Sequence, residues 1–137
     1  MAQSLFTADE LVLEYPEIMG LVTPLKTIKL GYILRNHPDI DAVAADDIQT
    51  FDKKSVHFCY RLTFLDDASM YLLIKNKGDL GFFYPRFRKA DYLLCSVSED
   101  EINKDLISTI RNLNDITVCF ALDKPNQKEI LNFTQLL

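Results

Sequence analysis

Residues 72–97, LLIKNKGDLGFFYPRFRKADYLLCSV, account for much of the fold of this 137-residue chain. Strand-like runs stand at both ends. Between them lie a glycine-containing turn, an aromatic cluster and a basic segment that a proline interrupts. The second run, residues 90–97, is nearly all apolar, which is typical of a central strand covered on both faces. Both ends therefore serve the architecture, and the link at residues 82–91 is what is left for a functional site.

Outward from this stretch, apolar residues alternate along residues 56–65 and 70–75, and the sequence Asp-Asp-Ala-Ser between them favours a turn. This pattern predicts an antiparallel hairpin. Residues 116–123 alternate in the same way and predict a final strand. Weaker strand signals occur within residues 11–22 and at about residues 40–45. The rest of residues 39–54 stays open, and the C-terminal tail fits either a short helix or an edge segment.

Thr23 and Pro24 mark the start of the first of two predicted helices. Threonine caps the free N–H groups of a helix, and proline suits the first helical position, where its missing N–H has no partner. The pair His37-Pro38 ends the helix, since the residue before a proline is pushed out of the helical region. The helix is expected over about residues 24–37. The apolar residues predicted to face the core are Leu25, Ile28, Leu30, Tyr32, Ile33 and Leu34.

Ser98 and Glu101 predict the start of the second helix, because a serine and a glutamate at this spacing form a capping box. This helix is expected over about residues 99–113. Two amphipathic helices each need an apolar surface to cover, and a sheet provides it. We therefore predict an α+β fold, a two-layer sandwich with a mostly antiparallel sheet of five to six strands and two main helices. Residues 1–137 form a single domain in this prediction, with residues 1–9 frayed.

The composition bounds the function classes. With 48% hydrophobic and 26% charged residues, the chain matches an ordinary soluble globular protein. The net charge of −5 counts against a nucleic-acid binder, which needs a basic face. No apolar run approaches the roughly 20 residues that span a bilayer, and the N-terminus lacks the pattern of a secretory signal. Cys59, Cys95 and Cys119 each lie in a strand-like run and predict buried reduced thiols. We therefore expect a cytoplasmic protein without membrane partners.

The common catalytic, nucleotide-binding and metal-binding motifs do not occur in this sequence. His57 and Cys59 share one strand face, but a zinc site needs three or four protein ligands. The five aspartates in residues 39–52 lack the spacing of a calcium loop. We therefore predict no catalytic residue, no metal and no cofactor.

A cluster of basic residues in and near the link is the strongest candidate for a site. Lys75, Lys77, Arg86, Arg88 and Lys89 lie within fifteen residues of an otherwise acidic chain. Arginine forks suit carboxylates and phosphates, so the cluster predicts an anion-binding patch beside the aromatic residues. The alternative is a solvated loop with extended basic side chains. The residues predicted to form a ligand or partner surface are Phe83, Tyr84, Arg86, Arg88, Asp91 and Tyr92.

The segment YPRFRKADYLL at residues 84–94 resembles the signature of the IPExxxVDY family of small uncharacterised bacterial proteins. Pro85, Asp91 and Tyr92 stand at the spacing of that signature, whereas Tyr84 replaces its Ile and Arg86 replaces its Glu. TPLKTIKLGYIL at residues 23–34 is similar to the first helix of the family, and IRNLNDITVCFALD at residues 110–123 to its last helix and strand. The resemblance implies no activity.

Two functions are consistent with this sequence. The first is a non-enzymatic domain that acts through protein contacts or homodimerisation, with aromatic residues of the link at the interface. The second is a small-molecule or anion-binding protein, or an enzyme, that uses Arg86, Arg88, Asp91 and Tyr92. Pro85, Asp91 and Tyr92 also have a structural explanation. The proline fixes a turn, the aspartate accepts backbone N–H groups, and the tyrosine packs its ring in the core.

Overall fold

A computed structural model describes residues 13–137 of the chain, which form eight strands, three α-helices and one short 3-10 helix (Pro85–Phe87). The strands are β1 (Met19–Val22), β2 (Ile40–Ala44), β3 (Ile48–Gln49), β4 (Val56–His57), β5 (Cys59–Phe64), β6 (Ser69–Lys75), β7 (Tyr92–Ser96) and β8 (Val118–Ala121). The helices are α1 (Thr27–Arg35), α2 (Lys104–Arg111) and α3 (Ile130–Thr134). The predicted fraying of residues 1–9 lies outside the described residues.

Six of these strands form one sheet in the order β2-β5-β6-β7-β1-β8, with every neighbouring pair antiparallel. Strands β3 and β4 make a separate two-stranded sheet. The predicted hairpin is β5–β6, and its register runs from Cys59 opposite Ile74 to Phe64 opposite Ser69. All five residues of β7 are buried at the middle of the large sheet, as its apolar sequence predicted. The α+β class and the mostly antiparallel sheet are confirmed.

Helices α1 and α2 cover one face of the large sheet. Their buried residues pack with the inward side chains of the strands in a single hydrophobic cluster, which includes Leu30, Leu34, Leu106, Ile110, Leu62, Leu73 and Leu94. The opposite face is covered in part by the link and by α3, the short helix of the tail. Phe83, Tyr84 and Phe133 pack there against Ile74 and Leu93. A partial third layer therefore adds to the two predicted layers.

Both helices are shorter at their starts than predicted. The residue that precedes α1 is Lys26, not Thr23, and no side chain caps this end. The Thr23 hydroxyl accepts a hydrogen bond from the Leu25 N–H at 3.2 Å and donates to the Asp115 carbonyl at 2.6 Å. Thr23 therefore ties the loop before α1 to the loop before β8, so the predicted N-cap is wrong.

The predicted capping box of α2 is also wrong. The Asn103 side chain accepts the hydrogen bond from the Asp105 N–H at 2.8 Å and starts the helix at Lys104. The Glu101 carboxylate instead accepts from the Glu17 N–H at 2.9 Å. Glu101 therefore makes a long-range hydrogen bond and not the local one that the capping-box pattern predicted.

The buried face of α1 differs from the predicted one. Leu30, Gly31 and Leu34 are buried, whereas Ile28 is 85% exposed and Tyr32 is 65% exposed. Gly31 explains the rotation, because a Cβ there would lie 2.2 Å from the Tyr60 hydroxyl. Only glycine lets α1 rest on the Tyr60 ring, so the helix presents its glycine side to the sheet and turns two large apolar residues outward.

The three cysteines are free and buried, as predicted. Burial raises the pKa of the Cys59 thiol to about 11, and it raises the pKa of Cys95 and Cys119 as well. Thiols held protonated in this way are poor nucleophiles. Within residues 13–137, no helix is long and apolar enough to cross a membrane.

Candidate functional site

The link at residues 82–91 is held from inside by one buried side chain, that of Asn76. Its Nδ2 donates to the carbonyls of Phe87 at 2.8 Å and Ala90 at 3.0 Å, while its Oδ1 accepts from the Tyr84 N–H at 2.8 Å. The Asn76 carbonyl also accepts from the Phe83 N–H at 2.8 Å. A single residue, Asn76, therefore satisfies the hydrogen-bonding groups of much of the link and holds the link against the sheet.

Phe83 and Tyr84 are fully buried, so their side chains cannot touch a partner in the folded chain. The Phe83 ring meets the rings of His57 and Phe133 edge-on, with centroids 5.3 Å and 5.2 Å apart. Tyr84 packs on Phe133 at 5.0 Å, and its hydroxyl donates to the Asp123 carbonyl. The prediction that these two aromatic residues form an exposed surface is corrected, because they anchor the C-terminal segment.

Arg86 holds the same segment from outside. Its Nε lies 3.0 Å from both carboxylate oxygens of Glu129, and its Nη2 donates to the Tyr84 hydroxyl at 3.0 Å and to the Lys124 carbonyl at 2.7 Å. Arg86 is therefore already matched by a carboxylate and is not available as an anion site. The pKa of the Tyr84 phenol rises to about 12, chiefly because of burial.

Arg88 does not point to a common ligand with Arg86. Its guanidinium carbon lies 5.3 Å from the centroid of the Phe82 ring, in a cation–π contact. The two arginines predicted to share an anion are thus engaged in separate internal contacts.

A cleft at the start of α1 contains the remaining two predicted residues, Asp91 and Tyr92. Its volume is about 1140 Å³, compared with about 280 to 480 Å³ for three smaller clefts of the described chain. Residues 23–29 and Tyr32 line one side, and Lys75 joins Asp91 and Tyr92 on the other. The cleft therefore unites Asp91 and Tyr92 with Lys75 of the predicted anion-binding patch, without either arginine.

The polar atoms of Asp91 and Tyr92 hold the wall of this cleft. The Asp91 Oδ2 accepts a hydrogen bond from the Thr23 N–H at 2.9 Å. The Tyr92 hydroxyl lies 2.8 Å from Thr27 Oγ1, and the Tyr60 hydroxyl donates to the Thr27 carbonyl at 2.7 Å. Burial raises the pKa of Tyr92. These contacts support a structural role for Asp91 and Tyr92.

The outward residues of α1 supply the apolar part of the cleft. Ile28 and Tyr32 are one helical turn apart, so their side chains are neighbours on the helix surface. Pro24 is also exposed and lines the same cleft. Scattered exposed apolar residues are normal in proteins, but here they stand together at the mouth of a concavity.

Three lysines line the same cleft: Lys26, Lys29 and Lys75. Asp91 is the one acidic residue among the described residues that line it, and its carboxylate is bound to Thr23. The cleft is therefore locally positive on a chain whose net charge is −5. We call Pro24, Lys26, Ile28, Lys29, Tyr32 and Lys75 the α1 surface.

The two edges of the large sheet differ in how they are protected. On β8, the Cys119 carbonyl accepts from the Arg111 guanidinium, with Nη2 at 2.9 Å. On β2, the pairing of alternate residues with β5 points the peptide groups of Ala42 outward. Exposed aspartates lie within this strand and on both sides of it, and they oppose self-pairing. They are Asp39, Asp41, Asp46 and Asp47.

His57 is buried beneath the link with one ring nitrogen unpaired. Its Nδ1 lies 2.9 Å from the Lys75 carbonyl, which assigns the ring proton to Nδ1, whereas Nε2 has no partner among the described residues. Burial lowers the pKa of this imidazole. No three His, Cys, Asp or Glu side chains of residues 13–137 come together to hold a metal ion.

Comparisons with protein-family models, with curated proteins and with solved structures found no match. The resemblance to the IPExxxVDY signature therefore stays a prediction.

Ile28 and Tyr32 are the residues that the sequence assigned to the core and the structure places in the cleft. Two signals in the sequence point to them. The apolar residues of α1 cover more of the helix circumference than one buried stripe needs. Lysines also occupy the start of the helix, where the dipole favours acids. An apolar excess beside cations at this end of a helix predicts that part of the apolar side stays outside the core.

Proposed function

We propose that this protein is a non-enzymatic domain that works by binding another protein through the α1 surface. The observation that carries this proposal is the exposure of Ile28 and Tyr32, side by side at the mouth of the cleft. Aromatic and aliphatic anchors near a concavity are typical of residues that dominate binding energy.

The energies favour a contact larger than these two side chains. Fully burying one such side chain contributes about 1.5–3 kcal/mol. Association costs about 4–15 kcal/mol in lost freedom of motion, so two anchors alone do not hold a partner. The remaining length of the cleft and its lysines are available for further contacts. Ile28 and Tyr32 would then be the centre of the interface and the lysines its rim.

The contacts of the cleft wall support binding rather than catalysis. A general acid or base needs a polar atom free to reach a substrate. In this cleft, the Asp91 carboxylate is bound to Thr23 and the Tyr92 hydroxyl to Thr27. Both groups therefore serve the shape of the cleft.

A photoreactive amino acid placed at position 28 tests the proposal in the cells from which the protein comes. We expect irradiation to yield a defined adduct with another protein, detected by its mass. The matched control carries the same photoreactive residue at position 80, because Leu80 is 81% exposed and does not line the cleft. Equal labelling at both positions, or none at position 28, would overturn the proposal.

Homodimerisation remains the second form of protein contact that we propose. The outward peptide groups of Ala42 on β2 support it, since an edge strand can pair with its copy. The aspartates around β2 weaken such pairing. Measuring the mass in solution across a wide range of concentration decides the matter, and a strict monomer throughout excludes the dimer.

Binding of a small anionic molecule is a second candidate function for the same cleft. It is favoured by the three lysines, which face a volume large enough for a metabolite. A thermal-shift screen of metabolites and nucleotides tests it, because a ligand that binds only the folded state raises the midpoint. We expect Lys75→Met to abolish such a shift, and a screen without any shift rejects this candidate.

A further inference from the structure

We propose that the partner of the α1 surface is an acidic peptide segment with an apolar anchor residue, presented by another protein. This inference rests on the proposed function and names the chemistry of the partner. In the bound state, the anchor packs against Ile28 and Tyr32, while carboxylates of the segment meet the lysines at the rim.

The lysines are the first support for an acidic partner. Within residues 13–137, none of Lys26, Lys29 and Lys75 forms an ion pair. Lys26 and Lys29 also lie at the positive end of the α1 dipole, which disfavours a cation there. Carboxylates brought to this end relieve both the repulsion among the lysines and their conflict with the dipole.

The net charge of the chain argues against a second copy in the cleft. A two-fold contact places the same patch on both partners, so lysines would face lysines. The two chains would also bring a net charge of −5 each into contact. An acidic segment of a different protein avoids the first repulsion and is drawn to this positive cleft by its local field.

The apolar residues argue against a nucleic acid. Phosphates gain nothing from contact with Ile28, because the hydrophobic effect favours only contact between apolar surfaces. A peptide with an aliphatic or aromatic side chain covers Ile28 and Tyr32 together, because they lie one turn apart on the helix. A cleft of about 1140 Å³ accepts several side chains, which fits a segment better than a single residue.

Selection from a randomised 12-residue peptide library, displayed on phage, against the full chain provides the test. We expect enriched peptides to combine aspartate or glutamate with an aromatic or aliphatic residue. The best peptide, synthesised with a fluorescent label, should lose affinity by about tenfold on Ile28→Ser and on Lys29→Glu with Lys75→Glu. Its affinity should also fall as salt rises, since exposed charges are screened.

Leu80→Ser is the matched control, because it removes an exposed leucine that does not line the cleft. It should leave peptide affinity unchanged. Ile28→Ser should keep the unfolding midpoint of the native chain, so lost binding then reports on the surface and not on the fold.

The outcomes separate this inference from the proposal on which it rests. Enriched peptides that are not acidic but depend on Ile28 overturn the acidic partner and leave the protein contact standing. Peptides that ignore both Ile28→Ser and the lysine changes, or a selection without enrichment, overturn the inference. The adduct at position 28 then judges the protein contact by itself. Tighter binding of a 12-nucleotide single-stranded DNA than of any peptide would assign the cleft to nucleic acid instead.

Discussion

The link at residues 82–91 and the start of α1 are opposites in how they use their side chains. The link is rich in aromatic and basic residues, yet Phe83 and Tyr84 are buried and Arg86 is bound to Glu129. Helix α1 is an ordinary amphipathic sequence, yet it leaves Ile28 and Tyr32 outside. A conspicuous cluster in a sequence can thus be buried or paired within the fold, while apolar residues of an ordinary helix stay exposed.

This contrast has a physical origin. Phe83 and Tyr84 bury their rings, and their hydrogen-bonding groups find partners in Asn76 and Asp123. The two arginines of the link make separate contacts, with Glu129 and with the Phe82 ring, and do not converge on one ligand. On α1, Gly31 determines which side packs on the sheet, and the apolar residues on the other side remain exposed to solvent. Changes in the link should therefore affect stability, and changes on the α1 surface should affect binding.

Asn76→Asp should have the largest effect on stability. The substitution keeps the shape of the side chain, but it turns two donated hydrogen bonds into contacts between a carboxylate and carbonyl oxygens. Burying an unpaired charge is strongly unfavourable, so we expect a loss of about 3–5 kcal/mol in the free energy of unfolding. Urea denaturation measures it. The exposed Asn114→Asp is the control, and similar losses in both variants would refute the internal role of Asn76.

Arg86→Glu places the residue of the IPExxxVDY signature opposite Glu129. Two carboxylates would then face each other where the structure has a salt bridge at 3.0 Å. We expect a loss of about 2–4 kcal/mol in unfolding free energy, because the hydrogen bonds to Tyr84 and Lys124 are lost as well. Adding Glu129→Arg should recover part of the loss. If urea denaturation shows no change in the free energy of unfolding for Arg86→Glu alone, the contacts of Arg86 do not hold the C-terminal segment.

Gly31→Ala should destabilise the chain by about 1–3 kcal/mol, although alanine favours helices over glycine. The added methyl would meet the Tyr60 hydroxyl and ring, which the core holds in place. Thermal unfolding measures the loss. In the background of Tyr60→Phe, which removes the nearest atom, the same change should be less harmful. A stabilising Gly31→Ala would show that the glycine does not set the rotation of α1.

The pH dependence of stability should report on His57 under the link. Burial lowers the pKa of His57 from its ordinary 6.5, so the unfolded chain binds this proton more readily than the folded one. Stability is therefore full above about pH 6.5 and falls as the pH drops below it, since a tenfold difference in proton affinity between the two states corresponds to about 1.4 kcal/mol. Asp79, whose pKa is lowered by hydrogen bonds led by the Val56 N–H, titrates below this window. Urea denaturation at about pH 7 and at about pH 5 measures this change in the free energy of unfolding. In His57→Met the difference between the two pH values should disappear.

Ile28→Ser should have the smallest effect on stability, within about 0.5 kcal/mol, because the side chain is 85% exposed. The same change should remove the peptide binding described above. A clear drop in the unfolding midpoint would place Ile28 in the core after all, and the comparison between the link and α1 would fail.

The strands could be predicted well because successive side chains of a strand point to opposite faces of the sheet. Alternation of apolar and polar residues is therefore visible within a short stretch of sequence. The β5–β6 hairpin and the buried β7 follow directly from the apolar pattern at residues 56–75 and 90–97. The helix starts could not, because Thr23 and Glu101 found partners far along the chain, at Asp115 and Glu17. Local signals predict a cap only where no distant group competes for the same side chain.

Local periodicity and apolar content were enough to predict the α+β class, the hairpin, the central strand and the buried cysteines. The buried side of α1 could not be predicted in this way, because it depends on the fit of Gly31 against Tyr60 across the fold. Hydrogen bonds between residues up to 43 positions apart also tie the link to Asn76 and Glu129. Sequence spacing does not encode such pairings, and they determine which residues remain at the surface.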